Sequence, residues 1–263
     1  MKRPGNGRRG AGLRNFLGIT GSLVAAWWCL SSATPSPLPS PDTEQQAVQA
    51  VRPPEPAAPV DDGRPRRPPL DRALALSGAF AAMPGGDQPV PVREGGSRLR
   101  YRVDVEDGLA ALGFDGQRFA AFVHETLNDP RSWSRGGNGG DQVFERVFSP
   151  DADFVVTLAS PGTVDAWCAR AGLDTSEQTV SCDAHNTERV MINAYRWAQG
   201  SPTYGDDMTG YRQMVVNHEV GHRIGYDHAS CGASGAPAPL MMQQTKTLSS
   251  GDATCVPNPW PYP

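Results

Sequence analysis

Apolar residues fall into regular patterns only from about Leu76 onward, and the first patterns predict strands. Residues 99–105, "LRYRVDV", strictly alternate apolar with charged side chains, which is typical of a half-buried strand. Residues 142–148 and 153–160 are two further predicted strands, and 78–83 is a shorter candidate. Regular packing is therefore expected to begin well inside the chain.

Helical spacing governs three other segments. Residues 116–127 place their apolar side chains on one side, and Asp115 can cap this helix at its start. A shorter helix is predicted over 163–171, with Gly172 positioned to end it. Over 208–224 a mostly apolar stripe recurs every three or four residues, so this segment also predicts a helix. The stripe consists of Tyr211, Met214, Val215, His218 and His222.

The segment 188–197, "ERVMINAYRW", is rich in β-branched and aromatic residues, which predicts one more strand. It is followed by "AQGSPTYGDD", a loop rich in turn-forming residues, and then by the helix 208–224. Strands that come first and a helix that packs against them predict a single α+β domain.

The chain before this domain has a different composition. Residues 1–14 are basic without an acid, and residues 16–30 carry no charge, which is the pattern of a secretory signal. We therefore expect 1–33 to be a signal peptide or, if it is not cleaved, a signal anchor that tethers the chain to a membrane. Residues 34–75 are predicted to be a proline-rich disordered linker, and 76–263 the folded domain, although 76–94 could equally be a removable prosegment.

Charge and cysteine content narrow the class of protein. The chain has a formal net charge of −4, and the part after the basic N-terminus is more acidic still, so nucleic acid is not an expected partner. Cys29 lies in the hydrophobic segment, which leaves an even number of cysteines in the exported part. Three connectivities are open, and we favour Cys168 with Cys182 and Cys231 with Cys255, because each pair closes a short loop.

The segment 215–228, "VVNHEVGHRIGYDH", holds three of the five histidines. His218 and His222 are one helical turn apart, so both imidazoles project from one face and can bind one zinc ion. Glu219 beside them can act as a base without being a ligand. Gly225 can end the helix and turn the chain, which allows His228 to return to the metal as a third ligand.

Every fixed position of H-E-x-x-H-x-x-G-x-x-H is filled, and the chain therefore resembles the metzincin clan of zinc metallopeptidases. The resemblance implies a zincin-like α+β domain, in which a small mixed sheet packs on a backing helix and on a zinc-binding active-site helix. It implies Zn²⁺ held by His218, His222 and His228, with Glu219 as general base and acid. It also implies a methionine turn beneath the metal, formed by Met241 or Met242, of which we favour Met241.

The surrounding segments, "GYRQMVVNHEVGHRIG", "DHASC" and "PAPLMMQQT", are similar to an uncharacterised family of exported actinobacterial proteins of zincin type, over about Ser77 to the C-terminus. This likeness implies a bacterial protein that is secreted or anchored on the outer face of the cytoplasmic membrane. It implies no particular substrate.

Together these patterns predict a monomeric zinc endopeptidase that hydrolyses proteins or peptides. The alternatives are a zinc amidase that acts on cell-wall peptides and a catalytically silent, zinc-stabilised surface binding module. We expect the substrate to lie extended along an edge strand of the sheet. The candidate strand consists of Arg189, Val190, Met191, Ile192 and Asn193.

Overall fold

The computed structural model describes residues 70–86, 92, 96–134 and 142–263. The signal peptide or anchor predicted over 1–33 and residues 34–69 of the predicted linker lie outside these ranges. Within them, no helix combines the length and the apolar character that a membrane crossing needs.

The domain is built on a mixed β-sheet with several helices, which confirms the predicted α+β fold class. The sheet comprises β1 (Phe80–Ala82), β2 (Ser97–Glu106), β3 (Gln142–Arg146), β4 (Phe154–Ala159), β5 (Cys182–Asp183) and β6 (Arg189–Asn193). Strands β2, β4 and β6 run parallel in that order, and β5 closes one side antiparallel to β6. On the other side of β2, β3 pairs in parallel with its first half and β1 pairs antiparallel with its last residues.

Four helices surround the sheet in the described part of the chain. They are α1 (Gly116–Leu127), α2 (Pro161–Cys168), α3 (Ala194–Gln199) and α4 (Met208–Arg223). Asp115 caps α1 as expected, since its carboxylate accepts from the backbone N–H groups of Gln117 and Arg118. A small hairpin of β7 (Ser249–Ser250) and β8 (Ala253–Thr254) lies near the C-terminus.

The two faces of the sheet bury different helices, because successive side chains of a strand point to opposite faces. Val190 and Ile192 of β6 belong to the large core that α1 and α4 complete. Met191, between them, points the other way and packs with residues of α2 and with Cys182. Helix α4, which carries the histidines, is thus held between the sheet and α1.

The strand predicted over 188–197 is only half as long as expected. It ends at Asn193, whose side chain accepts from the backbone N–H of Tyr195 and so caps α3 over the rest of the segment. The aromatic residues of 194–197 therefore lie in a helix, and the local composition wrongly predicted a strand for them.

The prediction that Arg189, Val190, Met191, Ile192 and Asn193 form the edge of the sheet is also wrong. β6 pairs with β4 on one side and with β5 on the other, where Met191 is opposite Cys182 and Val190 is opposite Asp183. All five residues are buried. The outer strand on this side is β5, whose position depends on the disulfide between Cys168 and Cys182.

The domain begins earlier than residue 76. Both Nε and Nη2 of Arg72 donate to Thr179 Oγ1, at 3.2 and 3.1 Å, and the N–H of Gly162 donates to the carbonyl of Leu74 at 2.9 Å. The last residues of the predicted linker are therefore part of the packed domain. The segment 76–86 is integrated as well, since it contributes β1 to the sheet.

Candidate metal centre

Helix α4 brings two of the three histidines together. Its first turn is capped by Asp207, whose carboxylate accepts from the N–H of Gly210 at 2.8 Å. Because His218 and His222 are separated by one turn, their rings lie on the same face, with centroids 4.8 Å apart. His218 is buried and His222 half-buried, so the pair lies at the boundary between the core and the solvent.

A glycine-dependent turn brings in the third histidine. Gly225 has φ +97°, a left-handed conformation that side chains disfavour. The N–H of Gly225 donates to the carbonyl of His222 at 3.0 Å, and the N–H of Tyr226 donates to the carbonyl of Gly221 at 2.9 Å. These two bonds are a Schellman motif, which ends the helix and reverses the chain. His228 consequently returns to the face that it shares with His218 and His222.

The three imidazoles form one cluster of potential metal ligands. One ring nitrogen from each of His218, His222 and His228 can be chosen so that all three atoms lie within 4.8 Å of one another. The Nε2 atoms of His222 and His228 are 3.1 Å apart. This triad could hold a metal ion.

Hydrogen bonds to backbone carbonyls orient two of these rings. His218 Nδ1 lies 3.0 Å from the carbonyl oxygen of Leu240, and His222 Nδ1 lies 2.8 Å from that of Tyr226. A carbonyl can only accept, so each of these hydrogen bonds requires a proton on Nδ1, which leaves Nε2 as the nitrogen that could bind a metal ion. Burial is the main reason that the pKa of His218 falls to about 3; the hydrogen bond to Leu240 opposes this shift and the charges of His222 and His228 add to it, so the ring is neutral.

Glu219 is buried directly beside the histidines. Desolvation raises the pKa of its carboxyl group to about 8, and the charge of Asp183 raises it too. A hydrogen bond from the backbone N–H of Asp183 and the charge of Lys246 act in the opposite direction. In the metal-free site this carboxyl group therefore exchanges its proton close to neutral pH.

Asp183 and Arg223 were not anticipated from the sequence. Arg223 Nη2 lies 2.5 Å from Asp183 Oδ1, and the same guanidinium donates to the carbonyls of Thr187 and Arg189 at 2.8 and 3.1 Å. Burial raises the pKa of Asp183 more than its neighbour Arg223 lowers it. This contact ties the end of α4 to β5, beside Glu219.

The two methionines of the predicted methionine turn lie in different surroundings. Met241 is buried in the core beneath α4, close to Gly221, whereas Met242 packs in a separate cluster with Cys231 and Cys255. The N–H of Ala229 donates to the carbonyl of Met241 at 3.0 Å, which connects the chain after His228 to this turn. Of the two methionines, Met241 is thus the one that faces the histidine helix.

Both disulfides join the cysteines that the sequence favoured as pairs. Cys168 is bonded to Cys182, which fixes β5, and Cys231 is bonded to Cys255, which encloses the methionine turn. Each pair therefore stabilises one wall of the site.

The histidines open into a cleft of about 390 Å³. Glu219 and all three histidines line it, together with residues of β5 and of the segment that follows the methionine turn. From these two segments come Ser181, Cys182, Asp183, Gln243, Gln244, Thr245 and Lys246. The predicted edge strand β6 contributes no lining residue.

Comparison with known proteins gives one match. A family model described as a protein of unknown function, DUF3152, matches residues 69–263. The matched range includes Arg72 and Leu74, which the structure joins to the domain by hydrogen bonds. No curated protein and no solved structure matches the chain.

Proposed function

The chain belongs to the DUF3152 family of proteins of unknown function, and we propose that it is a zinc metallopeptidase that hydrolyses peptide bonds. One observation carries the proposal: His218, His222 and His228 converge in a single cleft, and Glu219 is buried beside them. The H-E-x-x-H-x-x-G-x-x-H spacing and its resemblance to metzincins support the same function.

The donor set fits zinc. Three imidazole ligands would leave a fourth position open for water, as catalytic zinc sites require. The cysteines of the domain, Cys168, Cys182, Cys231 and Cys255, are all in disulfides, so they offer no thiolate, and the cluster of potential ligands consists of three histidines. When bound, zinc supplies a Lewis acid that polarises the scissile carbonyl and makes a water molecule more acidic.

Glu219 performs the proton transfers in this proposal. Its carboxylate accepts a proton from the water whose oxygen attacks the carbonyl carbon. The same group then delivers that proton to the nitrogen of the leaving amine as the C–N bond breaks. Burial raises the pKa of this carboxyl group in the metal-free site, and the charge of a bound metal ion would act in the opposite direction and favour the carboxylate.

The architecture supports a zincin-like interpretation. The histidine helix, the glycine turn and the methionine turn follow one another in the order that the resemblance implies. A peptide substrate would lie extended beside β5, because Ser181, Cys182 and Asp183 line the cleft at the outer strand of the sheet.

The two disulfides and the basic, then uncharged, N-terminal sequence support export. In this proposal the domain acts as a monomer outside the cytoplasmic membrane of a bacterium, either secreted or tethered by its N-terminal segment. Its partners are protein or peptide substrates and not nucleic acid.

A substitution at Glu219 tests the proposed function. The purified full chain, loaded with zinc, is incubated with a mixed peptide library, and cleavage is compared with that by Glu219→Gln. General acid–base catalysis contributes roughly 10²–10⁴-fold, so Glu219→Gln should lose at least about a hundredfold in rate while it keeps its metal and fold. Equal activity of both proteins would contradict the proposal, and cleavage of cell-wall peptides alone would favour the amidase. A folded, zinc-bound chain that cleaves nothing would indicate the silent binding module.

A further inference from the structure

The charged side chains that line the cleft are unevenly distributed. Among its described lining residues, Lys246 is the only lysine or arginine, whereas Asp174, Asp183, Glu219 and Asp227 are acids. Asp183 faces Arg223, and Asp174 accepts from the Ser176 hydroxyl at 2.7 Å. The ammonium of Lys246 makes no hydrogen bond or ion pair with a described residue. Its charge is thus available to a molecule in the cleft.

The backbone that carries Lys246 is held firmly. The N–H of Lys246 donates to the carbonyl of Gln243 at 2.9 Å, and the carbonyl of Thr245 accepts from Ser201 Oγ at 2.7 Å. The preceding side chain, Gln244, is fully buried, and its Oε1 accepts from the Tyr204 hydroxyl at 2.9 Å. The methionine turn therefore presents Lys246 from a fixed position, and only its flexible side chain needs to adjust.

Lys246 lines the same cleft as Glu219 and the three histidines. A peptide whose scissile bond is held at the candidate metal centre would therefore lie within reach of the flexible ammonium side chain.

We propose that Lys246 determines substrate specificity by binding a carboxylate of the peptide substrate close to the scissile bond. This inference rests on the proposed peptidase function. An ammonium group forms strong, charge-assisted hydrogen bonds to carboxylates, and the acids that share the cleft repel anions elsewhere in it. The carboxylate comes either from a glutamate or aspartate side chain of the substrate or from its C-terminus, and both present the same chemistry to Lys246.

Matched peptides distinguish these two sources. Fluorogenic peptides are made with glutamate or glutamine at each position flanking the scissile bond, and each is made with a free or an amidated C-terminus. With the zinc-loaded full chain, one of the two carboxylates should raise kcat/KM about tenfold or more over its neutral counterpart. A glutamate effect identifies the side chain as the source, whereas an effect of the free terminus identifies the C-terminal carboxylate.

Variants of Lys246 test whether this residue is responsible. Lys246→Met should abolish the preference, Lys246→Glu should reverse it, and Lys246→Arg should largely retain it. Arg118→Met is the matched control, because it removes the same charge from the exposed surface of α1, outside the cleft. A preference for carboxylates that survives in Lys246→Met, or that is lost equally in Arg118→Met, would overturn the proposal.

A binding measurement separates this inference from the proposed function. The same peptides, labelled with a fluorophore, are titrated with zinc-loaded Glu219→Gln and with the double variant Glu219→Gln/Lys246→Met, and anisotropy is recorded. Tighter binding of the carboxylate peptides that requires Lys246 supports the inference even if the wild type cleaves nothing. Equal binding of charged and neutral peptides, or no binding, overturns it. Cleavage by the wild type without any preference for carboxylates leaves the peptidase proposal standing and refutes only the role of Lys246.

Discussion

Replacement of Gly221 by alanine should destabilise the protein, although the same change stabilises most helices. Gly221 lies inside α4, where alanine is normally better than glycine by about 1 kcal/mol. Here a Cβ would lie 2.5 Å from Met241 Sδ and 2.8 Å from Trp133 Cζ2. Both distances are too short for carbon, so both neighbours must move unless the helix itself shifts.

The indole of Trp133 resists such a movement. Its Nε1 donates to the carbonyl of Asn217 at 2.8 Å, and its ring stacks on Tyr226 with centroids 4.4 Å apart. Overpacking a buried site costs about 1–3 kcal/mol, which exceeds the gain in helix propensity. Set against the gain of about 1 kcal/mol, this cost leaves a net loss of up to about 2 kcal/mol, or a fall in Tm of up to roughly 8 °C for a domain of this size.

Thermal unfolding of the metal-free protein measures this effect, and Gly232→Ala is the control. A Cβ added at Gly232 would meet no atom within 4 Å, and this glycine has no positive φ, so alanine there should change Tm little. The effect of Gly221→Ala should extend to the metal site, because Tyr226 also supplies the carbonyl that orients His222. Weaker zinc binding should thus accompany the loss of stability. A rise in Tm of Gly221→Ala would refute the close contact between α4, Met241 and Trp133.

Two further predictions concern a buried acid and the disulfides. In metal-free protein, burial raises the pKa of Glu219 from 4.5 to about 8, so its contribution to stability is fully present below pH 4.5 and is lost as the pH rises through 8. Glu219→Gln cannot ionise, so it does not lose this stability. The difference in free energy of unfolding between Glu219→Gln and the wild type, measured by chemical denaturation, should therefore shift in favour of the variant by a few kcal/mol from about pH 4 to pH 9. A difference that does not change with pH would contradict this. Paired replacement of Cys231 and Cys255 by serine should cost about 3.5 kcal/mol for their separation of 24 residues, and should also weaken zinc retention because the loop contains the methionine turn. Replacement of Cys168 and Cys182, separated by 14 residues, should cost about 3 kcal/mol and should weaken zinc retention less. If a zinc-retention assay shows the larger loss for Cys168 and Cys182, the role given to the disulfide between Cys231 and Cys255 is wrong.

Local signals in the sequence predicted the histidine helix well. The apolar stripe of α4 and the glycine that ends it act over a few residues, so their spacing is sufficient to indicate both the helix and the turn that returns His228. The cap at Asp115 was predictable for the same reason. Each of these features depends on neighbours in the chain and not on the rest of the fold.

Features that depend on distant pairing were not predictable in this way. β5 is only two residues long, too short to give a pattern, and it exists because it pairs with β6 and is bonded to α2 through Cys168. Without β5, the segment 189–193 looked like an edge strand. Asp183 and Lys246 reach the cleft through β5 and the methionine turn, so their positions also follow from contacts across the domain.

Zinc content of the purified full chain is the most direct test of the candidate metal centre. Protein prepared without chelators should hold one zinc ion per chain, measured by elemental analysis, because three oriented imidazoles converge in the cleft. His228→Ala should retain far less than one ion per chain, whereas Glu219→Gln, which keeps all three ligands, should remain fully loaded. A wild-type chain that binds no stoichiometric metal, or an ion that persists unchanged in His228→Ala, would contradict the assignment.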